Sequence, residues 1–211
     1  QLTMRTLHTG GIASAGDITQ GLPRVGELFE ARKPKAAAVI SHIDGVVSFG
    51  KDRRENDIVI VSNENGETFE KQIIYGSTLK VAEGDRVKQG DQITEGSIEP
   101  AELLEVMGEL AVQNYIIQEV QRVYRTQGVD INDKHIEVVV RQMMRQVRVD
   151  EQGDTNLISG SIVSKAEFVE VNAQTVANGG QPATFIPLIQ GITRSSLATE
   201  SFMSAAAFQE T

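Results

Sequence analysis

The sequence predicts an α+β fold, a mixed fragment with a small β-rich module, a helical hairpin and a mixed C-terminal part. Short β-rich runs separated by glycine turns occupy residues 36–99. Long segments with helical periodicity occupy residues 100–149, and both patterns recur in residues 150–211. Together with a leading segment at 1–35, these make four predicted parts.

Composition narrows the classes of function. The 211 residues carry a formal net charge of −9 and no cysteine. The missing cysteines exclude disulfides, thiolate zinc sites and a cysteine nucleophile, and they are typical of a reducing cytosol. No apolar run is long enough to span a membrane, so we expect a cytoplasmic chain without a membrane partner. The acidic balance disfavours nucleic-acid binding over the whole surface but leaves local basic clusters open.

The chain ends predict a piece of a longer protein. A natural chain normally begins with methionine, whereas this one begins with Gln1. The last stretch, SLATESFMSAAAFQET, stops inside a run with helical character and has no stop signal.

The opening segment, QLTMRTLHTGG, has an unusual polar face. On a helix its residues 1, 4, 5 and 8 share one side, which would carry Gln1, Met4, Arg5 and His8. A core face would be apolar, and a guanidinium beside an imidazole suits an anion such as a phosphate. A frayed, solvated terminus is the alternative that these residues leave open.

A helix is predicted within residues 17–35. Pro23 suits its first turn and Pro34 ends it. Its narrow apolar stripe consists of Val25, Leu28 and Phe29. Its basic end carries Arg32, Lys33 and Lys35. These cations either complement the helix dipole or contact phosphates.

Turn signals organise the β-rich module. Asn65-Gly66 between alternating segments predicts a hairpin. Glycines at positions 84, 90 and 96 are each followed by a polar residue, and we interpret them as turns between short strands.

Two helices are predicted in residues 100–149. The first runs from Pro100 to Gly128. Its core stripe is Leu103, Met107, Leu110, Ile117, Val120 and Tyr124. The second is capped by Asn132. Its core face is Ile136, Val140, Met143 and Val147.

Three arginines repeat on another face of the second helix, at positions 141, 145 and 148. A nucleic-acid contact and a plain solvated face explain Arg141, Arg145 and Arg148 equally well. The isolated His135 is interpreted as a packing or capping group. A short β pair is predicted around 157–163, and a capping box of Ser164 and Glu167 begins a further helix.

No self-sufficient catalytic set emerges. The chain has no phosphate-binding glycine loop with lysine, no histidine pair at metal spacing and no serine elbow. The residues alone therefore indicate an α+β segment of a larger assembly.

Five strings together resemble the C-terminal part of the β-prime subunits of bacterial RNA polymerases. They are QLTMRTLHTGG, DITQGLPRVGELFEARKPK, GVVSFGK, INDKHIEVVVRQMMR and GITRSSLATESFMSAAAFQET. They follow one another in the family's order over essentially the whole chain. The resemblance implies DNA-templated RNA synthesis by nucleotidyl transfer in the full assembly, with the isolated fragment inactive.

The same resemblance assigns roles to the opening face. In that family the first string belongs to the trigger loop, a mobile element that folds over an incoming nucleoside triphosphate. Met4 would then pack against the base, Gln1 would approach the ribose, and Arg5 and His8 would reach the triphosphate as catalytic residues. Whether His8 donates a proton or only positions the substrate stays open. Leu7 departs from the phenylalanine expected there.

Further implications concern DNA, metal and partners. Residues 36–99 resemble the jaw beside downstream duplex DNA, residues 100–149 the cleft wall, and GITRSSLATESF the switch 1 hinge, whose Arg194 approaches the template strand. Mg²⁺ would act in the full enzyme with ligands outside this chain, so no metal residue is assigned here. Implied partners are the β, α, ω and sigma subunits, template and downstream DNA, and nucleoside triphosphates. A non-catalytic adaptor is the alternative function.

Overall fold

A computed structural model of the chain describes residues 21–51, 56–74, 76–198, 203 and 206. In chain order the elements are α1 (Leu22–Phe29), β1 (Gly45–Lys51), β2 (Asp57–Ser62), β3 (Thr68–Gln72), β4 (Arg86–Val87), α2 (Pro100–Met107), α3 (Glu109–Thr126), α4 (Asp133–Met143), β5 (Gln146–Val149), β6 (Ile162–Ser164), α5 (Lys165–Ala177), β7 (Phe185–Pro187) and α6 (Ile192–Leu197). Helices and antiparallel sheets together confirm the α+β class. The described residues form two compact units, residues 33–108 and a second unit made of residues 21–32 and those from 109 onward.

The first unit is built on a four-stranded antiparallel sheet in the order β3-β2-β1-β4. Val59 and Val61 of β2 face the interior, because alternate side chains of a strand point to the same side. The buried core of this unit is aliphatic and consists of Val39, Val47, Val59, Val61, Val87 and Ile93.

Local side-chain chemistry fixes the turns of this unit. The predicted hairpin is confirmed, since Gly66 has a φ of 85° between the paired strands β2 and β3. The Oδ1 atom of Asn63 accepts hydrogen bonds from the backbone N–H groups of Asn65 and Glu67, both at 2.9 Å. The glycine turns at 84, 90 and 96 are confirmed as well, because all three have positive φ.

The predicted helix over 100–127 is in fact two helices separated at Gly108. This residue has a φ of 83° and a ψ of −178°, outside the helical region. The break resets the helical phase, so Leu110, predicted to be in the core, is 70% exposed, and Met107 is also exposed. The buried positions of α3 are Val112, Ile116, Val120, Gln121 and Val123.

Helix α4 begins as predicted and ends early. The Oδ1 atom of Asn132 accepts a hydrogen bond from the Lys134 N–H at 3.0 Å, which confirms the cap. Ile136, Val140 and Met143 are buried as predicted. Beyond Met143 the helix prediction is wrong, because residues 146–149 form β5 and take their backbone partners from β6 and β7.

The second unit contains this three-stranded sheet, in the order β6-β5-β7. Its aliphatic and aromatic core is Val147, Val149, Leu157, Phe168 and Ala183. The predicted β pair around 157–163 is wrong, since the strand there is β6 and its partner is β5. The hydroxyl of Ser164 accepts a hydrogen bond from the Glu167 N–H at 3.2 Å, which confirms the predicted start of α5.

Helix α1 packs against α3 and α4 within the second unit. It ends at Phe29, earlier than predicted, because Ala31 takes a φ of 47°. The N–H of Arg32 then donates to the carbonyl of Glu27 at 3.0 Å, a backbone pattern that closes helices. The basic residues at 32, 33 and 35 therefore lie beyond the last turn and do not act as helix-terminal cations.

Candidate nucleic-acid interface

Of the predicted site residues, Arg194 lies in the part of the chain that the structure describes. Gln1, Met4, Arg5 and His8 lie outside the described residues. Arg194 is exposed on α6, and the next residue, Ser195, is buried.

Helix α6 is too short to hold itself in place and is anchored by side-chain and backbone contacts. The Ser195 hydroxyl donates to the carbonyl of Gln142 at 2.6 Å. The N–H of Gln190, just before the helix, donates to the carbonyl of Met143 at 3.0 Å. Both acceptors lie at the C-terminal end of α4, where helix carbonyls lack intrahelical partners. The two bonds fix the backbone that carries Arg194.

A second anchor joins α6 to the end of α1. The Thr193 hydroxyl donates to the carboxylate of Glu30. At Gly191 a Cβ atom would lie 2.7 Å from the backbone oxygen of Glu30, closer than real Cβ contacts. Glycine is therefore required at position 191 by close packing, and the resulting contact closes one side of a cavity.

This cavity has a volume of about 370 Å³ and brings Arg194 together with Arg148. Arg148 occupies the central strand β5, opposite Ile162 of β6 and Ile186 of β7. Its neighbours Val147 and Val149 are buried in the core on one side of the sheet. Arg148 therefore extends from the other, exposed side.

The predicted arginine face is wrong as a helical feature. Arg141 lies in the last turn of α4, Arg145 follows the end of that helix, and Arg148 is in a strand. The three are exposed, but only Arg148 lines the cavity with Arg194. The sequence pattern had assigned these two arginines to separate features.

The charge around the cavity is mixed, with an excess of cations. Arg148 and Arg194 form no ion pair with any described residue. The carboxylate of Glu30 also lines the cavity and accepts from Thr193. Gln190, 5% exposed, leaves its Oε1 atom without a donor among the described residues. The cavity thus offers two guanidinium groups against one carboxylate.

A polar cluster in the first unit was not predicted. The Oε1 atom of Glu102 accepts from His42 Nε2 at 2.9 Å and from Lys71 Nζ. Burial alone would raise the pKa of Glu102, but these two hydrogen bonds outweigh burial and hold that pKa below its ordinary value. The His42 ring stacks on Phe69 with centroids 4.3 Å apart. The cluster ties α2 to the sheet, and its three polar members are too far apart in sequence to form a motif.

A second charged group missed by sequence reasoning is Arg24 of α1, which is 2% exposed beside the predicted apolar residues Val25 and Leu28. Its Nη2 atom donates to the Tyr115 hydroxyl at 3.2 Å, and its Nη1 atom lies 3.3 Å from Glu27 Oε2.

Lys33 pairs with Glu99 at 3.0 Å, and the hydrogen bond to Glu99 raises the pKa of Lys33. Neither cation is free for phosphate in this structure.

The described residues hold neither a candidate metal site nor a candidate membrane span. No group of three or more histidine, aspartate or glutamate side chains there could hold a metal ion. None of the helices there is both long enough and apolar enough to cross a membrane.

Residues 1–200 match the family model RNA polymerase Rpb1, domain 5. The whole chain is 58% identical to a DNA-directed RNA polymerase subunit beta' of Alkaliphilus oremlandii. It is 56% identical to proteins of the same name from Acetivibrio thermocellus and Moorella thermoacetica. The chain spans 18% of the length of each of these relatives.

Proposed function

Because the chain belongs to the RNA polymerase Rpb1, domain 5 family, we propose that it is part of the largest subunit of a bacterial RNA polymerase. The complete enzyme would synthesise RNA on a DNA template by nucleotidyl transfer. The similarity to β-prime subunits over the full length of the chain carries this proposal. It favours the polymerase over the non-catalytic adaptor, because the relatives that match the whole chain are named as RNA polymerase subunits.

Residues 1–11 contribute the substrate-facing part of the trigger loop in this proposal. Met4 packs against the incoming base, since a thioether suits an aromatic face. Gln1 approaches the ribose. Arg5 and His8 reach the triphosphate, where cations stabilise charge that develops on the departing pyrophosphate.

The described residues contribute contacts to DNA in this proposal. Arg194, held on the anchored helix α6, contacts a template phosphate, which positions the strand without reading its sequence. The unit of residues 33–108 acts as the jaw beside downstream duplex DNA. The β, α, ω and sigma subunits are the proposed protein partners, and a cytoplasmic location remains a prediction.

Magnesium would supply metal-assisted nucleotidyl transfer in the complete enzyme. The described residues do not fit a magnesium site, because they bring no suitable group of ligands together. Following the resemblance, we propose that the metal ligands lie outside this chain and that the fragment is inactive by itself.

The test is made in a reconstituted polymerase that contains the complete subunit. Arg5→Ala and His8→Ala should each lower the maximal rate of nucleotide addition by roughly 10- to 1000-fold, the effect of removing a preorganised charged donor. Binding of template DNA should hardly change. Arg125→Ala, at an exposed arginine of α3, is the control. Unchanged rates in both alanine variants would contradict the trigger-loop assignment.

His8→Gln separates the two roles of the histidine. Glutamine donates a hydrogen bond but does not deliver a proton near neutral pH. Rapid-quench rates close to those of the unsubstituted enzyme would show that His8 positions the substrate. A deficit equal to that of His8→Ala would show acid catalysis.

A further inference from the structure

We infer that Arg148 and Arg194 bind one backbone phosphate of the template strand together, which makes Arg148 a second DNA-binding residue. The inference rests on the proposed function, from which it takes the identity of the strand. Arg148 had been grouped with Arg141 and Arg145, and the structure separates it from both.

Two independently fixed elements bring the arginines to the same cavity. Strand β5 is hydrogen bonded on both sides, and its buried residues Val147 and Val149 set the direction of Arg148. Helix α6 is held by Ser195 on the end of α4 and by Thr193 on Glu30. Both backbones are thus positioned before any ligand binds, which lowers the entropic cost of binding.

The chemistry of the cavity suits a phosphodiester. Guanidinium groups match the oxygen geometry of phosphate and remain charged at every physiological pH. Two of them face one carboxylate, so an added phosphate brings the local charge to zero. The unpartnered Oε1 atom of Gln190 can accept an arginine N–H that does not reach the phosphate.

The surroundings favour a nucleic-acid backbone over a free anion. Ile162 and Ile186 flank Arg148 on the neighbouring strands and are 48% and 43% exposed. Ile162 also lines the cavity. Exposed aliphatic groups next to a cation provide an apolar surface for the deoxyribose that accompanies a backbone phosphate.

Salt dependence tests the pair in polymerase complexes assembled on a synthetic template with an RNA primer. Arg148→Gln and Arg194→Gln should each weaken template retention roughly tenfold, the effect of losing a charge-assisted hydrogen bond. Their double variant should reduce the slope of log affinity against log salt by about 0.7, the value for one phosphate of a single strand. Arg141→Gln, at an exposed arginine outside the cavity, is the matched control and should leave the slope unchanged.

The outcomes separate this inference from the proposed function. Weaker retention with Arg194→Gln but unchanged retention with Arg148→Gln would overturn the shared site and leave the role of Arg194 intact. Unchanged retention and an unchanged slope in both single variants and in the double variant would overturn the shared site and the DNA-binding role of Arg194 alike. A reduction of about 1.4 in the double variant would mean two separate phosphates, and would also overturn the shared site.

A template scan with neutral methylphosphonate linkages locates the contact. If the site is shared, one linkage position should remove the effect of Arg148→Gln and of Arg194→Gln alike. Arg148→Lys retains the charge and should keep most of the salt slope while losing the two-pronged hydrogen bonding. Different linkage positions for the two arginines, or a slope lost in Arg148→Lys with the protein still folded by circular dichroism, would contradict the inference.

Discussion

The hairpin tip of the first unit and the anchors of α6 in the second unit depend on contacts of different range. In residues 33–108, a hairpin tip is fixed by Asn63, whose side chain bonds to residues two and four positions away. In the second unit, the contacts that anchor α6 join distant residues. Ser195 bonds to Gln142, 53 positions earlier, and Thr193 bonds to Glu30, 163 positions earlier.

This difference explains which functional groups can be predicted from a sequence. A turn or a helix cap depends on about five consecutive residues, so it can be predicted from the local sequence. A cavity lined by Arg148 and Arg194 depends on a strand and a helix that are ordered only by their partners. The part of the molecule proposed to contact the template is therefore the part that local patterns describe least.

The largest expected effect comes from truncating the core of one unit. Ile93→Ala removes a fully buried side chain from the first unit and should lower its free energy of unfolding by about 2–5 kcal/mol. Hydrogen exchange should then show lost protection in β1 and β2 and retained protection in α3 and α4. Ile116→Ala, in the core of the second unit, should give the reverse pattern. An equal loss of protection in both units for both variants would contradict the separate unfolding of the two units.

Gly191→Ala tests the long-range contact directly. The new Cβ atom would meet the backbone oxygen of Glu30, which cannot move aside as a side chain can. We expect a loss of about 1–3 kcal/mol in thermal unfolding of the second unit, typical of overpacking. Gly26→Ala is the matched control, because a Cβ atom there meets nothing within 4 Å. It should stabilise helix α1, since glycine inside a helix is unfavourable. A neutral Gly191→Ala would contradict the close packing.

The Glu102 cluster predicts a pH dependence confined to the first unit. Since the folded-state pKa lies below the ordinary value of 4.5, the stabilisation is present above pH 4.5 and is lost as the pH falls through the folded pKa. Glu102→Gln should cost about 1–2 kcal/mol at neutral pH. Urea unfolding measured between pH 3 and pH 7 should show a smaller acid dependence in this variant. An unchanged acid dependence would mean that the hydrogen bonds from His42 and Lys71 contribute nothing.

Local chemistry accounts for what could be predicted. The hairpin at Asn65-Gly66 and the caps at Asn132 and Ser164 depend on neighbours within four residues, and all three are confirmed. The end of α4 could not be predicted, because the residues after Met143 are drawn into a sheet by strands that follow later.

The residues of the candidate site also differ in whether they could be predicted from the sequence. Arg194 was predicted through a resemblance, and the structure adds its anchors. Arg148, which lines the same cavity, was assigned to a helical face, because its spacing from Arg141 and Arg145 fits a helix. That spacing does not show that the backbone becomes a strand before Arg148. The buried Arg24 had no signal at all, because a charged residue in a helix is normally expected on the surface.

The smallest expected effect concerns the end of α1. Ala31 holds a left-handed conformation that costs a non-glycine residue about 1–2 kcal/mol. Ala31→Gly relieves this cost but makes the unfolded chain more flexible, so a net stabilisation of about 0.5–1 kcal/mol is expected. Thermal unfolding measures the change, and Ala37→Gly, at a residue without positive φ, should destabilise instead. A loss of stability in both variants would contradict the strain at Ala31.

The hydrogen bond between Thr193 and Glu30 also limits how early this part of the chain can fold during translation. At about 5–20 residues per second, a ribosome needs roughly 8–30 s to add the 163 residues that separate them. The hairpin of β2 and β3 is complete within 16 residues of its start, so it can form soon after its own residues have been added. The end of α1 must meanwhile wait for α6, so the wall of the cavity is completed only after Thr193 has been added.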